Sequence, residues 1–208
     1  RDEPCHVNCD CGRFMEIGNN VFMEYQKTDA GFVKLAQQNV DFGGGLERIA
    51  AAALDNPDVF RVDLFDRARQ AVQAASGKAY GENPDDTYAY RVMLDHIRAA
   101  VFLIGDGIVP SNKDQGYFVR RLIRRAVRFA GHLGITDDFI AEVGQAFIDT
   151  YASDYASLAE RQSAILDELS KEEAKFRKTL ETGLKEFKKL DGNSISGADA
   201  FMLFSSYG

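Results

Sequence analysis

Tryptophan is absent from the 208 residues, and proline occurs only four times. No apolar run approaches the length of a membrane span, and the opening "RDEPCHVNCD" has no signal-peptide pattern. Those two absences predict a cytoplasmic protein. Position 1 is Arg rather than Met, as expected of a piece excised from a longer chain. Cysteine is missing beyond residue 11: Cys5, Cys9 and Cys11 all fall in "CHVNCDC", beside His6. An odd, clustered set argues against a disulfide framework. The spacing C-x3-C-x-C is not a standard zinc knuckle, so the reading is reduced thiols in a loop. A zinc set of Cys5, His6, Cys9 and Cys11 is the alternative. Positive charge is also in deficit. A formal net charge of −7 argues against indiscriminate nucleic-acid binding, although a local basic patch can exist within it.

What is present describes an ordinary globular protein, with 45% hydrophobic and 27% charged residues over a length that suits one large or two small domains. Residues 13–43 read as extended. Phe14, Glu16, Val21, Met23 and Tyr25 alternate around a Gly-Asn-Asn interruption that suggests a bulge. "KTDAG" is a turn signal, and "FVKLAQQNVDF" suggests two more short strands. From Leu46 the period becomes helical. "LERIAAAALD" ends at Asn56-Pro57, and "VDLFDRARQAVQAASG" ends at a capping Gly77. A third helix carries Val92, His96, Ala99, Ala100 and Leu103 on one side, and a fourth spans "GYFVRRLIRRAVRFAGHLG". Asp154 to Leu190 reads as one charged helix of near coiled-coil spacing, roughly 55 Å long at 1.5 Å per residue. "SISGADAFMLFSSYG" closes the chain as a capped short helix. The expected class is α+β, with short antiparallel strands followed by a mainly helical region. The domain division is 1–58 and 59–208.

Two patterns point to anions. In "NVDFGGGLERIAAA", which starts at Asn39, three glycines join a strand to a helix whose first turn holds Arg48. Consecutive glycines suit close approach to the backbone, and a helix N-terminus beside a guanidinium suits an anion. A plain tight connection with Arg48 in a surface ion pair is the alternative. Further on, Arg120, Arg121, Arg124, Arg125 and Arg128 fall on one helical face, while Val119, Leu122, Ile123 and Val127 turn inward. Clustered arginines repel one another, and a polyanion relieves that repulsion. Acidic neighbours on other helices could do the same. Asn112 precedes this helix in "GIVPSNKDQGY", where its amide could read a base edge or merely cap the helix.

These residues carry a resemblance. "NVDFGGGLERIAAA" resembles the third motif of class II aminoacyl-tRNA synthetases. "FMEIGNNVFMEY", "VDFGGGLERIA", "LDHIRAAVFLIGDGIVPSNKDQGYFVRRLIRRAVR" and "AFMLFSSYG" together resemble the alanyl-tRNA synthetases, in that order along nearly the whole chain. The resemblance implies the second part of a catalytic domain followed by a helical tRNA-recognition domain. It implies activation of alanine by ATP with Mg2+, then transfer to tRNA-Ala. By position, Arg48 would act catalytically on the ATP phosphates, with Gly45 also at the ATP site. Asn19, Asp41 and Gly43 would line the alanine pocket, with Asp41 on the ammonium group. Asn112 and Ser205, with the five arginines, would meet the acceptor stem. Three positions depart from the family: Gly18 replaces a Trp, Phe42 stands where Thr is common, and Ser205 replaces an Asp.

The upstream class II motifs are expected in the same or another chain, so this piece alone is expected to be inactive. Two other readings compete. One is a non-catalytic tRNA-binding module or half of a split synthetase; a pure tRNA binder would have no need of Asp41, Gly43 and Arg48. The other is a small metal-binding regulatory protein built on "CHVNCDC".

Overall fold

Alternating side chains in the first third of the chain produce one long hairpin. The computed structural model describes residues 4–7, 9, 11–190 and 195–207. Asn8 and Asp10 of the cysteine segment, and Ser194 and Gly208 of the closing segment, lie outside the described residues. Strand β1 (Gly18–Thr28) pairs antiparallel with β2 (Gly31–Gly44). The "KTDAG" turn joins them, with Gly31 at φ 108° and the Thr28 hydroxyl donating to the Gly31 carbonyl at 3.0 Å. "FVKLAQQNVDF" is therefore a single strand, not two, and β1 begins at Gly18 rather than near Arg13. The irregularity also sits elsewhere than expected. Glu24 alone on β1 faces the four residues Leu35 to Gln38 on β2, whereas the Gly-Asn-Asn segment pairs in regular register. The ladder continues through Gly18–Asn20 because their partners Phe42–Gly44 are equally extended.

Helix α1 (Leu46–Ala53) follows with Gly45 as its N-cap, and two 3-10 turns, Val59–Arg61 and Asp63–Phe65, lead onward. Contacts divide the chain into two compact units, residues 1–63 and 64–208. In the first, both faces of the hairpin are largely exposed, including Phe22, Phe32, Val40 and Phe42. Two strands alone bury too little apolar surface for independent stability.

The second unit is helical. Helix α2 (Asp66–Ser76) ends at Gly77 in the left-handed conformation, φ 68°. Helix α3 (Pro84–Gly105) starts from Asn83, whose side chain accepts from the Asp85 and Asp86 N–H groups, with Pro84 in the first turn. Helices α4 (Asp114–His132), α5 (Ile140–Tyr151), α6 (Ala156–Glu160), α7 (Gln162–Lys189) and α8 (Gly197–Tyr207) complete it. The core gathers Phe65, Tyr90, Met93, Leu94, Ile97, Ile123, Phe147, Ile148, Leu158 and Ile165, all fully buried. Helix α3 is central and buried on most sides, so no single apolar stripe describes it. His96, expected on its core side, is half-buried and bonds Asp95 through Nδ1 at 2.8 Å.

The expected single helix from Asp154 to Leu190 is broken. Arg161 separates α6 from α7, and its Nη1 donates to the Gly105 carbonyl at the end of α3, 2.7 Å away. Capping another helix holds Arg161 out of regular geometry. Helix α7 then runs 28 residues, roughly 42 Å. Its N-terminal half is core, with Ile165 and Leu169 buried, while Leu180 and Phe187 further along are exposed. The Ser196 hydroxyl accepts from the Asp199 N–H at 3.1 Å and donates to the Asp199 carboxylate at 2.6 Å, capping α8 as expected. Among the described residues, no helix is long and apolar enough to cross a membrane.

Candidate nucleotide and RNA sites

The hairpin register brings the expected alanine-pocket residues together. Asn19 stands opposite Gly43 and Val21 opposite Asp41. Directly opposed residues, and residues two apart, share one face of a hairpin. Asn19, Asp41 and Gly43 therefore lie on the same side. A Cβ at Gly43 would come within 3.1 Å of the Asn19 side-chain oxygen, so the glycine keeps space open beside that amide. The Asn19 amide is itself within 3.4 Å of the Glu16 carboxylate.

The opposite face explains two of the departures from the family pattern. The Phe42 ring lies over Gly18 and Gly44, and a Cβ at either would approach it to 2.8 and 2.9 Å. A Trp at position 18 and a Phe at 42 would contend for one space. Gly18 and Phe42 are thus a matched pair, the aromatic at 42 covering the backbone that Gly18 leaves bare.

At the end of β2 the Gly45 N–H donates to the Ile17 carbonyl at 3.0 Å, tying the glycine run to the chain entering β1. Gly45 gives α1 no side-chain cap. Arg48, exposed in the first turn, donates from Nη1 to the Glu16 carbonyl at 3.0 Å. The surface ion pair of the alternative reading is not among the described contacts. The other guanidinium N–H groups stay available for an anion.

In the helical unit all five predicted arginines line one concavity of about 690 Å³, together with Tyr88, Tyr117, Phe129 and Phe176. They are not equivalent. Arg124 Nε donates to the Glu172 carboxylate at 2.6 Å, and its guanidinium lies over the Phe176 ring. Arg120 Nε sits 3.3 Å from the same carboxylate oxygen, close enough for charge attraction but not aligned as a hydrogen bond. Glu172 is buried, so this end of the cluster is neutralised from α7. Arg125 donates to the Tyr88 hydroxyl at 3.2 Å, Arg128 rests against Phe129, and Arg121 is exposed. Three guanidinium groups therefore remain on the surface. Leu122, expected to turn inward, is half-buried and lines a smaller hollow with His96, Phe118, Arg121 and Arg125.

Asn112 is exposed and does not cap α4: Lys113 holds the N-cap position, with no side-chain cap bond. Ser111 organises the turn instead. Its hydroxyl donates to the Lys113 carbonyl at 2.9 Å, and its N–H donates to the Gly116 carbonyl at 3.0 Å. Ser205, exposed on α8, donates to the Met202 carbonyl at 3.2 Å. Among the described residues no hydrogen bond joins it to Asn112. Sequence reasoning missed Glu172 and the aromatic lining of the arginine concavity. Glu172, Phe176 and Tyr88 come from neighbouring helices, and Tyr117 and Phe129 from α4 itself.

The family described as "tRNA synthetases class II (A)" matches residues 1–208. The chain belongs to that family. It is 41% identical to an alanine–tRNA ligase from Desulfosudis oleivorans over 98% of the chain and 24% of that protein. It is 43% identical to one from Borreliella afzelii over 98% of the chain and 36% of that protein. A relative from Natranaerobius thermophilus, also named alanine–tRNA ligase, is 36% identical over 100% of the chain and 25% of its own length. The chain thus spans about a quarter to a third of the curated relatives it matches.

Proposed function

We propose that this chain is the portion of an alanine–tRNA ligase that supplies the third class II motif and the acceptor-stem recognition domain. Residues 1–58 belong in this reading to the aminoacylation domain, and 59–208 to the helical tRNA-recognition domain. One observation supports it most. The hairpin register sets Asn19, Asp41 and Gly43 on one face, on strands that lead directly into the helix bearing Arg48. A carboxylate beside a cleared glycine suits an ammonium group on a small side chain. A guanidinium at an uncapped helix start suits phosphate. ATP is held with Mg2+ in the class II reaction, and Gly45 and Arg48 are this chain's share of that site. The chain spans 24% to 36% of those relatives, so in this reading it carries only part of the ATP site and does not activate alanine alone.

Transfer to tRNA rests on the helical part. The family resemblance implies a G·U wobble pair as the target, and such a pair leaves an unpaired amino group in the wide, shallow minor groove of A-form RNA. In this reading the Asn112 amide, which is exposed and has no capping duty, accepts from it. Asn112→Ala is expected to narrow the preference for a wobble over a Watson–Crick acceptor stem by about 1–3 kcal/mol. Stem-binding titrations of the two RNAs measure this. An unchanged preference removes Asn112 from recognition.

The exposed arginines do a different job. Replacing Arg121 and Arg128 by Gln should weaken both stems alike. It should also lower the slope of log affinity against log salt, by roughly one unit for each phosphate no longer engaged. Glu172 already engages Arg120 and Arg124, so changing those two should affect stability more than salt dependence. A salt slope unchanged in the Arg121/Arg128 variant would assign the face to another role.

A further inference from the structure

Cys5, Cys9 and Cys11 converge at the start of the chain in a way neither the aminoacylation chemistry nor the RNA surface uses. Their sulfurs are 3.3, 3.1 and 2.8 Å apart, and no disulfide joins them. Two features of the backbone bring them together. The Cys9 N–H donates to the His6 carbonyl at 3.0 Å, closing a turn that returns Cys9 to Cys5. Gly12 then takes φ 77°, a conformation that residues with a Cβ rarely adopt, which reverses the chain immediately after Cys11. Three neutral thiols gain little from mutual contact and give up hydration to reach it. Three thiolates around a cation gain a great deal.

We propose that Cys5, Cys9 and Cys11 form a three-thiolate site for a divalent cation of the zinc type. An ion about 2.3 Å from each sulfur fits above the triangle they form, with the sulfurs spreading by less than about 1 Å to approach tetrahedral angles. Thiolate ligands select zinc over the hard cations, Mg2+ included. On binding, the three thiols release their protons to solvent and each sulfur donates an electron pair to the metal. Among the described residues, the ligand atoms that lie within 4.8 Å of one another are those of Cys5, Cys9 and Cys11. In this proposal water takes the fourth position, in place of the four-residue set that includes His6. Cys5 and Cys11 are exposed, so the metal has an open path in. Bound there, it fixes the chain just ahead of Arg13 to Ile17, the segment whose carbonyls receive Arg48 and Gly45.

These are the only cysteines in the 208 residues, so a metal–thiolate signal has no other source in the chain. The test is titration of the reduced 208-residue chain with Co2+ under anaerobic conditions. The sulfur-to-cobalt charge-transfer band should saturate at one equivalent, and zinc should displace it. Cys9→Ser should weaken binding by at least about a hundredfold, while His6→Asn keeps the stoichiometry and the band. Zinc should also slow alkylation of all three thiols in the unmodified chain, a measurement independent of any variant's folding. Binding no tighter than that of the triple Ser variant overturns the proposal. So do alkylation rates indifferent to zinc, loss of the band in His6→Asn, or a Cys9–Cys11 disulfide that forms equally fast in excess zinc.

Discussion

Arg48→Ala in the complete enzyme is expected to lower alanine-dependent ATP–pyrophosphate exchange by more than a hundredfold. A charge-assisted contact to a reacting phosphate contributes about 3 kcal/mol, and each 1.36 kcal/mol is a factor of about ten in rate. The structure adds a second consequence. Arg48 Nη1 also donates to the Glu16 carbonyl at 3.0 Å, so the variant loosens the tie between α1 and the chain entering β1. Arg48→Lys separates the two effects. It keeps the charge but loses the planar fork, so exchange should fall to an intermediate level. Thermal unfolding of both variants reports the structural share, which for one exposed bond to a charged donor is at most about 1.5–3 kcal/mol. Near-normal exchange in Arg48→Ala would take Arg48 out of the reaction.

The expectation for Arg48 can be formed from sequence because its place at the start of α1 is set locally, although the Glu16 carbonyl that its side chain meets is 32 positions earlier. Strand alternation puts Asp41 and Gly43 on one face, and the glycine run ends where helical period begins. The Gly77 end of α2 is legible for the same reason, since the carbonyl that its N–H meets, that of Gln73, is only four residues back. What escapes is what depends on distant residues. Helix α5 carries no such local mark. Asp137 and Asp138 lie just before it, yet its N-cap is Phe139 and neither aspartate caps it with a side chain. The break at Arg161 depends on a carbonyl 56 positions earlier. The arginine face is legible as a face, but its division into paired and free guanidinium groups depends on Glu172, 48 positions beyond Arg124. Pattern within one element fixes which residues share a side. It says nothing of what the neighbouring element brings.

Helix α5 leads to the second large effect, because its start is held by Glu173. That carboxylate is 1% exposed. One oxygen accepts from the Phe139 and Ile140 N–H groups at 3.1 and 2.8 Å. The other accepts from Arg177 Nε and Nη2 at 3.0 and 2.7 Å, and the same Nη2 reaches the Asp137 carbonyl at 2.8 Å. A residue of α7 thus supplies the cap that the sequence before α5 lacks, and Arg177 balances its charge. Burial pushes the Glu173 carboxyl above its ordinary range, while the Ile140 N–H and the Arg177 guanidinium pull it back. Glu173→Ala leaves two helix-start donors without their acceptor, and leaves the half-buried Arg177 guanidinium with only the Asp137 carbonyl and the exposed Asp138 carboxylate 3.6 Å away. The expected loss is about 3–5 kcal/mol of stability in the helical unit, the range for breaking one side of a buried ion pair. Glu173→Gln keeps an acceptor for the N–H groups but gives up the charge facing Arg177, so its loss should be smaller, about 1–3 kcal/mol. Urea unfolding followed by far-ultraviolet circular dichroism orders the three proteins by midpoint. Glu172 precedes Glu173 on α7 and faces the arginines of α4, so the same turn of helix fixes both neighbours. If Glu173→Ala unfolds within about 1 kcal/mol of the unmodified chain, the cap contributes little and α5 is held by its apolar face alone.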